Sequence, residues 1–147
     1  MRIIYSCYFG SYLAVVAASL HLGLIKGFDP NSFLELPYFG KLPESELGRI
    51  YYVGKDNLGR EIYVMGSRKV GEVIERALKG IASIYNMGEE SLIFINLLPY
   101  GNAFYSIGCF LIHRLNLKTL GTLFLMMGIK KSFEKIKRLV DKVKKSP

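Results

Sequence analysis

The stretch that decides the fold is Met1–Lys26, MRIIYSCYFGSYLAVVAASLHLGLIK. Residues 2–8 are β-branched and aromatic, which is typical of a buried strand. Phe9-Gly10-Ser11 interrupts this run, and from Tyr12 to Leu24 apolar residues recur at the spacing of one helical face. The order of strand, tight turn and helix predicts the start of an α/β domain. A ligand site is expected at the turn, because open α/β sheets bind ligands at the carboxyl ends of their strands.

The rest of the chain continues the alternation of strands and helices. Two β-rich runs flank a Gly-, Asp- and Asn-containing turn and predict a hairpin, and two uncharged apolar runs predict central strands. The predicted segments are strands 49–53, 61–65, 92–98 and 121–127, a long loop 27–48, and helices 68–86, 103–115 and 130–147. We therefore predict a single three-layer α/β domain over residues 1–147, with a mixed, mostly parallel sheet of about five strands and four helices.

The helix predicted over 68–86 has the clearest amphipathic pattern in the chain. Ser67 is its expected N-cap and Gly88 closes it. Its apolar residues recur at helical spacing and predict a buried stripe along the sheet. The stripe consists of Val70, Val73, Ile74, Ala77, Leu78, Ile81, Ile84 and Tyr85.

Charge is concentrated at the end of the chain. The formal net charge is +8, and residues 1–100 contain ten basic and ten acidic residues, so residues 101–147 supply all of the excess. Most of these cations belong to the helix predicted over 130–147, where a solvated face explains them. Arg enrichment and interleaved aromatic residues are missing, which argues against nucleic acid, while an acidic protein partner remains possible.

The residue types needed for common catalytic and metal sites do not cluster in the sequence. Cys7 and Cys109 lie in apolar runs without a CxxC motif, so we interpret both as buried hydrophobic residues of a protein in the reducing cytoplasm. His21 and His113 are interpreted as helix residues with satisfied hydrogen bonds. No catalytic residue, metal ligand or cofactor is assigned, which favours a protein that is not an enzyme.

Two uncharged stretches, 3–25 and 92–112, are long enough to cross a membrane. Polar residues and chain breakers interrupt both, and these are costly in lipid but normal where a strand gives way to a helix. We favour a soluble cytoplasmic protein, with membrane insertion through residues 3–25 as the alternative.

Several landmarks resemble a known family. They run in order along nearly the whole chain: Met1–Tyr8, Gly10, Ala17-Ala18, His21–Gly23, Leu36–Phe39, Gly48–Ile50, Gly54, Asp56, Gly59, Val64–Gly66, Glu75–Lys79, Leu98-Pro99, Asn102, Ile107-Gly108 and Phe110-Leu111. Together they are similar to the domain of unknown function 3189 family. The resemblance implies a source among spore-forming bacteria and a family with no established activity.

The chain departs from that family's pattern at the expected site. The first loop of the family reads Gly-Gly-Thr-His-Ser-Ser, where this chain has Phe9–Ala14. The family has Asp at the position of Asn96, and Thr at the position of Ile129. The resemblance therefore implies a divergent member that has lost an imidazole, a carboxylate and hydroxyl groups.

The site is expected where the turns after the predicted parallel strands meet. Backbone amides at a helix start, together with nearby cations, suit a phosphate group. The candidate ligand-binding residues are Gly10, Ser11, Tyr12, Arg68, Asn96, Tyr100, Asn102, Lys130 and Lys131. The favoured function is that of a non-catalytic or degenerate binder of a small anionic, phosphate-bearing ligand or of a protein partner at this edge. The main alternative is a protein-interaction module that uses residues 27–46 and the basic last helix.

Overall fold

The structure is a computed structural model and describes residues 1–42, 48–88 and 91–145. Within them a sheet of four strands is formed by β1 (Arg2–Cys7), β2 (Ile50–Lys55), β3 (Glu61–Gly66) and β4 (Leu92–Asn96). The strand order is β2-β3-β1-β4, in which β1 is parallel to both β3 and β4. β2 is antiparallel to β3, as the hairpin prediction requires. The mixed, mostly parallel sheet is confirmed, but it has four strands instead of about five.

Five α-helices accompany the sheet in the described ranges. They are α1 (Leu13–Leu22), α2 (Pro30–Leu34), α3 (Gly71–Ile84), α4 (Ala103–His113) and α5 (Lys118–Lys145). The α/β class is confirmed, and the predicted count of four helices was one too low because α2 forms inside the segment expected to be a loop. Asp29 caps α2 by accepting a hydrogen bond from the Asn31 amide. The predicted cap at Ser67 is wrong, since α3 begins at Gly71 without a side-chain cap.

The strand predicted over 121–127 is wrong, because these residues belong to α5. This helix runs through the predicted strand and continues into the basic segment, of which residues 146–147 lie outside the described residues. Glycines allow α5 to pack directly on α4. A Cβ atom on Gly108 would clash with the backbone of Leu125, and one on Gly128 would clash with the backbone of Tyr105. The helix forms because this close packing buries one side of the apolar run.

The helices cover the two faces of the sheet unequally. Ile3 and Tyr5 on one face pack into the large core with α1 and α5. On the other face Ile4, Met65 and Phe94 form a small core, against which Ile74 and Leu78 of α3 pack beside Tyr63 and Leu92 of the sheet. Helices therefore lie on both faces of the sheet, as a three-layer arrangement requires.

The predicted buried stripe of α3 is wrong for most of its length. Val73, Ile84 and Tyr85 are 63%, 77% and 74% exposed. The amphipathic period gave the orientation of the helix correctly, since Ile74 and Leu78 contact the sheet. However, α3 is the only described helix on its face, so no other described helix covers its flanks.

The segment between α1 and β2 packs onto the core, in agreement with its aromatic content. Phe33, Leu36 and Phe39 are buried there, and Phe33 lies against Phe133 of α5. These side chains are therefore engaged within the chain. Residues 43–47 of the segment lie outside the described residues.

The stretch 3–25 folds as β1 and α1, with nearly every side chain buried in the core. Among the residues that the structure describes, no helix has the length and apolar character needed to cross a membrane.

Candidate functional site

The turn after β1 is fixed by a glycine and a thiol. Gly10 has φ +78°, and a Cβ atom there would lie 2.5 Å from the backbone nitrogen of Gly66 at the end of β3. Only glycine combines this conformation with such a close approach. The Gly10 amide donates a hydrogen bond to Cys7 Sγ over 3.1 Å. The turn thus curls around the sulfur and is held against the neighbouring strand.

The polar groups predicted in this turn are directed inward. Ser11 is buried, and its Oγ accepts a hydrogen bond from the Leu42 amide. The Tyr12 hydroxyl is hydrogen-bonded to His113 Nε2 at 2.9 Å. Gly10, Ser11 and Tyr12 therefore hold the turn together and do not line the cavity beside it.

That cavity has a volume of about 360 Å³ and lies between the turn, the end of β4 and α4. Its size falls in the range of small-molecule sites, about 300–1,000 Å³. The lining consists of Cys7, Tyr8, Phe9, Leu13, Arg68, Leu97, Leu98, Gly101, Asn102, Tyr105, Ser106, Cys109, Phe110, His113 and Arg114. The expectation of a cavity at the carboxyl edge of the parallel strands thus agrees with the structure.

Two arginines supply the charge of the cavity. Arg68 follows β3 and Arg114 follows α4, and both are exposed. Neither forms an ion pair within the described residues, and none of the described lining residues is acidic. Arg68 has φ +46°, a conformation that is rare outside glycine, and its amide donates to the carbonyl of Tyr8. The strained backbone fixes the start of the Arg68 side chain beside the turn.

The interior of the cavity contains three weakly acidic groups. Burial raises the pKa of the Cys7 thiol, although backbone amides of the turn are directed at the sulfur. Burial also raises the pKa of Cys109 to about 12 and that of Tyr105 well above its usual value. The Tyr105 hydroxyl is buried and, within the described part of the chain, has no partner with hydrogen-bond geometry. All three groups are neutral near pH 7, and the hydroxyl has hydrogen-bonding capacity to spare.

The remaining predicted residues lie around the cavity in different ways. The Asn102 side chain lines it and also caps α4, accepting from the Tyr105 amide and donating to the Gly128 carbonyl. Asn96 Oδ1 accepts from the Leu98 amide, and the Tyr100 carbonyl accepts from Ser132. Lys130 and Lys131 are exposed on α5 outside the lining, and Lys131 Nζ lies 4.2 Å from the centroid of the Phe104 ring. Of the nine candidates, the structure places Arg68 and Asn102 in the lining.

Sequence reasoning missed the contribution of α4. Asn102, Ser106, Cys109 and His113 all line the cavity, and they are separated by four, three and four residues. This spacing places them on one helical face. The spacing was therefore a sign in the sequence that α4 lines the site. It is missed when each of the four residues is interpreted separately.

A second cluster of titratable groups lies at the opposite, amino edge of β1. The Asp56 carboxylate accepts from His21 Nε2 at 2.9 Å and from Arg60 Nε at 2.6 Å. Since a carboxylate only accepts, neutral His21 carries its proton on Nε2, and its Nδ1 accepts from the Tyr5 hydroxyl at 2.8 Å. Arg60 also donates to the carbonyls of Val143 and Lys144 at the end of α5. The interpretation of His21 as a satisfied helix residue is confirmed.

Burial and neighbouring charges shift the pKa values of His21 and Asp56. Burial lowers the pKa of His21 and outweighs the opposing effect of Asp56. Burial opposes ionisation of Asp56, but the hydrogen bonds from His21, Arg60 and the Leu58 amide dominate and hold its pKa well below the usual value. The cluster is a buried, fully bonded network that ties the β2–β3 turn to α1 and α5.

The cavity is lined by two thiols and one imidazole. Its thiols are protonated near neutral pH and are poor nucleophiles. The His113 ring is hydrogen-bonded to Tyr12 and stacked on Phe9, with ring centroids 4.1 Å apart. In the described ranges, no group of three or more His, Cys, Asp or Glu residues is arranged to hold a metal ion.

Comparison with known proteins identifies a family. The sequence profile of a family described as "Protein of unknown function (DUF3189)" matches residues 2–145, nearly the whole chain. No curated protein and no solved structure matches the chain.

Proposed function

Since the chain belongs to the DUF3189 family, whose function is unknown, we propose a function from its own cavity: binding of a small organic anion. The observation that carries the proposal is the pair of arginines, Arg68 and Arg114, beside a cavity with a largely apolar and neutral interior. An arginine forms paired, charge-assisted hydrogen bonds with a phosphate or carboxylate. The interior of the cavity would bind the uncharged part of the same molecule.

The interior also supports a polar group on the ligand. The buried Tyr105 hydroxyl lies beside the Cys109 thiol, which is a weak hydrogen-bonding partner, and a buried polar group without a good partner costs about 1–3 kcal/mol. A hydroxyl or carbonyl of the ligand would relieve this cost. The proposed ligand therefore has an anionic end near the arginines and a body of moderate polarity, as nucleoside monophosphates, sugar phosphates and aromatic carboxylates have.

A thermal-shift screen tests the proposal, with inorganic phosphate and members of those three classes as probes. A ligand at about one hundred times its Kd stabilises the folded protein by about 2.7 kcal/mol, which raises the Tm of a chain of this size by about 5–10 °C. No shift with any member of the panel would contradict the proposal.

Calorimetric titration of variants then locates the bound ligand. Arg68→Gln is expected to weaken binding about 10- to 100-fold, because a hydrogen bond to a charged group contributes about 1.5–3 kcal/mol. Lys69→Gln is the matched control, since it removes an equal charge from the next residue, which is exposed and outside the lining. Equal effects of the two substitutions would show that the ligand binds elsewhere.

A further inference from the structure

The hairpin of α4 and α5 has an outer surface that the proposed ligand site does not use. Six large apolar side chains on it are between 43% and 59% exposed: Ile107, Leu115, Leu117, Leu120, Leu123 and Met127. We call these six residues, together with the half-buried Phe104, Leu111 and Phe124 beside them, the hairpin face. Exposed apolar surface of this extent on a folded chain indicates an interaction site.

The hairpin face is continuous across both helices. Leu120, Leu123 and Met127 recur along one side of α5, as Phe104, Ile107 and Leu111 do along α4. The Phe104 and Phe124 rings stack with their centroids 6.4 Å apart, which joins the two rows. Because glycines bring the helix backbones together, the face is carried by a tightly packed unit.

The charges of the hairpin segment 91–133 are all positive, and the first acidic residue after it is Glu134 on α5. Residues 91–133 contain no Asp or Glu, but they contain Arg114, Lys118, Lys130 and Lys131. Lys118 lies between Leu117 and Leu120 at the tip of the hairpin, and Lys131 lies over the Phe104 ring. The surface therefore combines exposed leucines with cations that no acidic neighbour in the same segment neutralises.

We infer that the hairpin face docks on the surface of a membrane that contains anionic lipid. Apolar side chains bordered by Lys and Arg are the composition that binds at the headgroup boundary of such membranes. A second copy of this chain fits less well, because it would bring an identical set of cations against the first. Leu115 and Leu117 lie on the connection between the two helices, and Leu120 lies in the first turn of α5. All three are therefore at the end of the hairpin, where a bilayer is more easily reached than a flat protein surface.

Vesicle flotation tests this inference with the full chain. The protein is expected to float with vesicles of phosphatidylcholine and phosphatidylglycerol, and to float much less with phosphatidylcholine alone or at high salt. Each cation near an anionic surface contributes about 1 kcal/mol, which corresponds to about fivefold in the partition coefficient. Lys118→Gln with Lys130→Gln should therefore lower partitioning about 25-fold.

The apolar contribution is tested separately. Leu120→Gln with Leu123→Gln keeps good helix formers on α5 and is expected to lower partitioning at least about 100-fold, since burial of each leucine contributes at least about 1.5 kcal/mol. The matched control is Val73→Gln with Ile84→Gln, which removes two apolar side chains from α3 that are more exposed than Leu120 and Leu123 and lie outside the hairpin face. It should float like the unmodified protein. Far-ultraviolet circular dichroism of each variant verifies that the helices are intact.

Three results would overturn the inference. One is failure of the unmodified protein to float with anionic vesicles. Another is an equal loss of flotation in the α3 control. The third is a dimer in analytical ultracentrifugation that the Leu120 and Leu123 substitutions dissociate, because the hairpin face would then be covered by a second copy.

Discussion

The substitution Asp56→Asn should remove much of the stability of the fold. The carboxylate is 6% exposed and accepts four hydrogen bonds: from His21, from the Arg60 side chain, and from the amides of Leu58 and Arg60. An asparagine keeps one acceptor oxygen, so its amide group would face the donors of His21 and Arg60. His21 could accept only by moving its proton to Nδ1, which would reverse its hydrogen bond with Tyr5 and leave the buried Tyr5 hydroxyl without an acceptor for its own proton.

The expected decrease in the free energy of unfolding follows from the Arg60 charge, which loses its carboxylate partner. The Arg60 side chain is 7% exposed, and removal of one partner from a buried ion pair costs about 3–5 kcal/mol. A domain of this size is stable by about 5–15 kcal/mol, so the variant should unfold at a much lower urea concentration. The control is Glu61→Gln, which breaks the exposed pair with Arg2 and should cost no more than about 1 kcal/mol.

Equilibrium urea unfolding, followed by circular dichroism, measures both free energies of unfolding. If Asp56→Asn costs less than about 1 kcal/mol, or no more than Glu61→Gln, the buried network does not stabilise the fold as described. A double variant with Arg60→Gln extends the test. It should cost less than the sum of the two single variants, because the unpaired arginine charge is then absent.

Three further predictions concern pH, packing and thiol reactivity. The pKa of His21 is lowered in the folded protein, so the free energy of unfolding should fall below about pH 6.5 as the unfolded chain takes up a proton that the buried ring does not. A second decrease in the free energy of unfolding is expected below about pH 4, because Asp56 takes up its proton more readily in the unfolded chain than in the folded one. An increase in stability on acidification would contradict the pKa directions given for His21 and Asp56. Gly108→Ala should destabilise the protein by about 1–3 kcal/mol because its Cβ would meet the Leu125 backbone. Gly80→Ala, which meets nothing on α3, should stabilise it by about 0.5–1 kcal/mol, and thermal unfolding compares the two. Burial raises the pKa of Cys109 to about 12, so Ellman's reagent should label this thiol slowly until the protein is unfolded. Rapid labelling of Cys109 in the native protein would show that this thiol is not buried and protonated as described.

The first strand, the first helix and the hairpin were predictable because their sequence patterns are local. Residues 2–7 and 13–22 carry the patterns of a strand and a helix, and the hairpin turn at 56–60 is rich in Asp, Asn and Gly. The segment 121–127 was misassigned because a short apolar run fits a buried strand and a buried helix equally well. Its glycines Gly121 and Gly128, seven residues apart, were the sign of close helix packing.

The candidate site was predictable in position but less so in composition. The carboxyl edge of parallel strands was the expected location, and Arg68 and Asn102 do line the cavity there. Tyr105, Cys109 and Arg114 reach the same cavity from α4, whose placement depends on tertiary packing against α5. Sequence periodicity identifies the sides of a helix, but it does not identify what each side faces. For the same reason the exposed flanks of α3 were expected to be buried.

The position of β1 in the sheet has a consequence during translation. This strand leaves the ribosome well before both of its neighbours, since Arg2 pairs with Glu61 on one side and with Leu92 on the other. Until about residue 96 has emerged, the nascent chain exposes an uncharged apolar segment whose backbone groups lack at least one strand partner. During this part of synthesis the exposed segment can aggregate. It is also the part of the nascent chain to which a chaperone for unfolded proteins would bind.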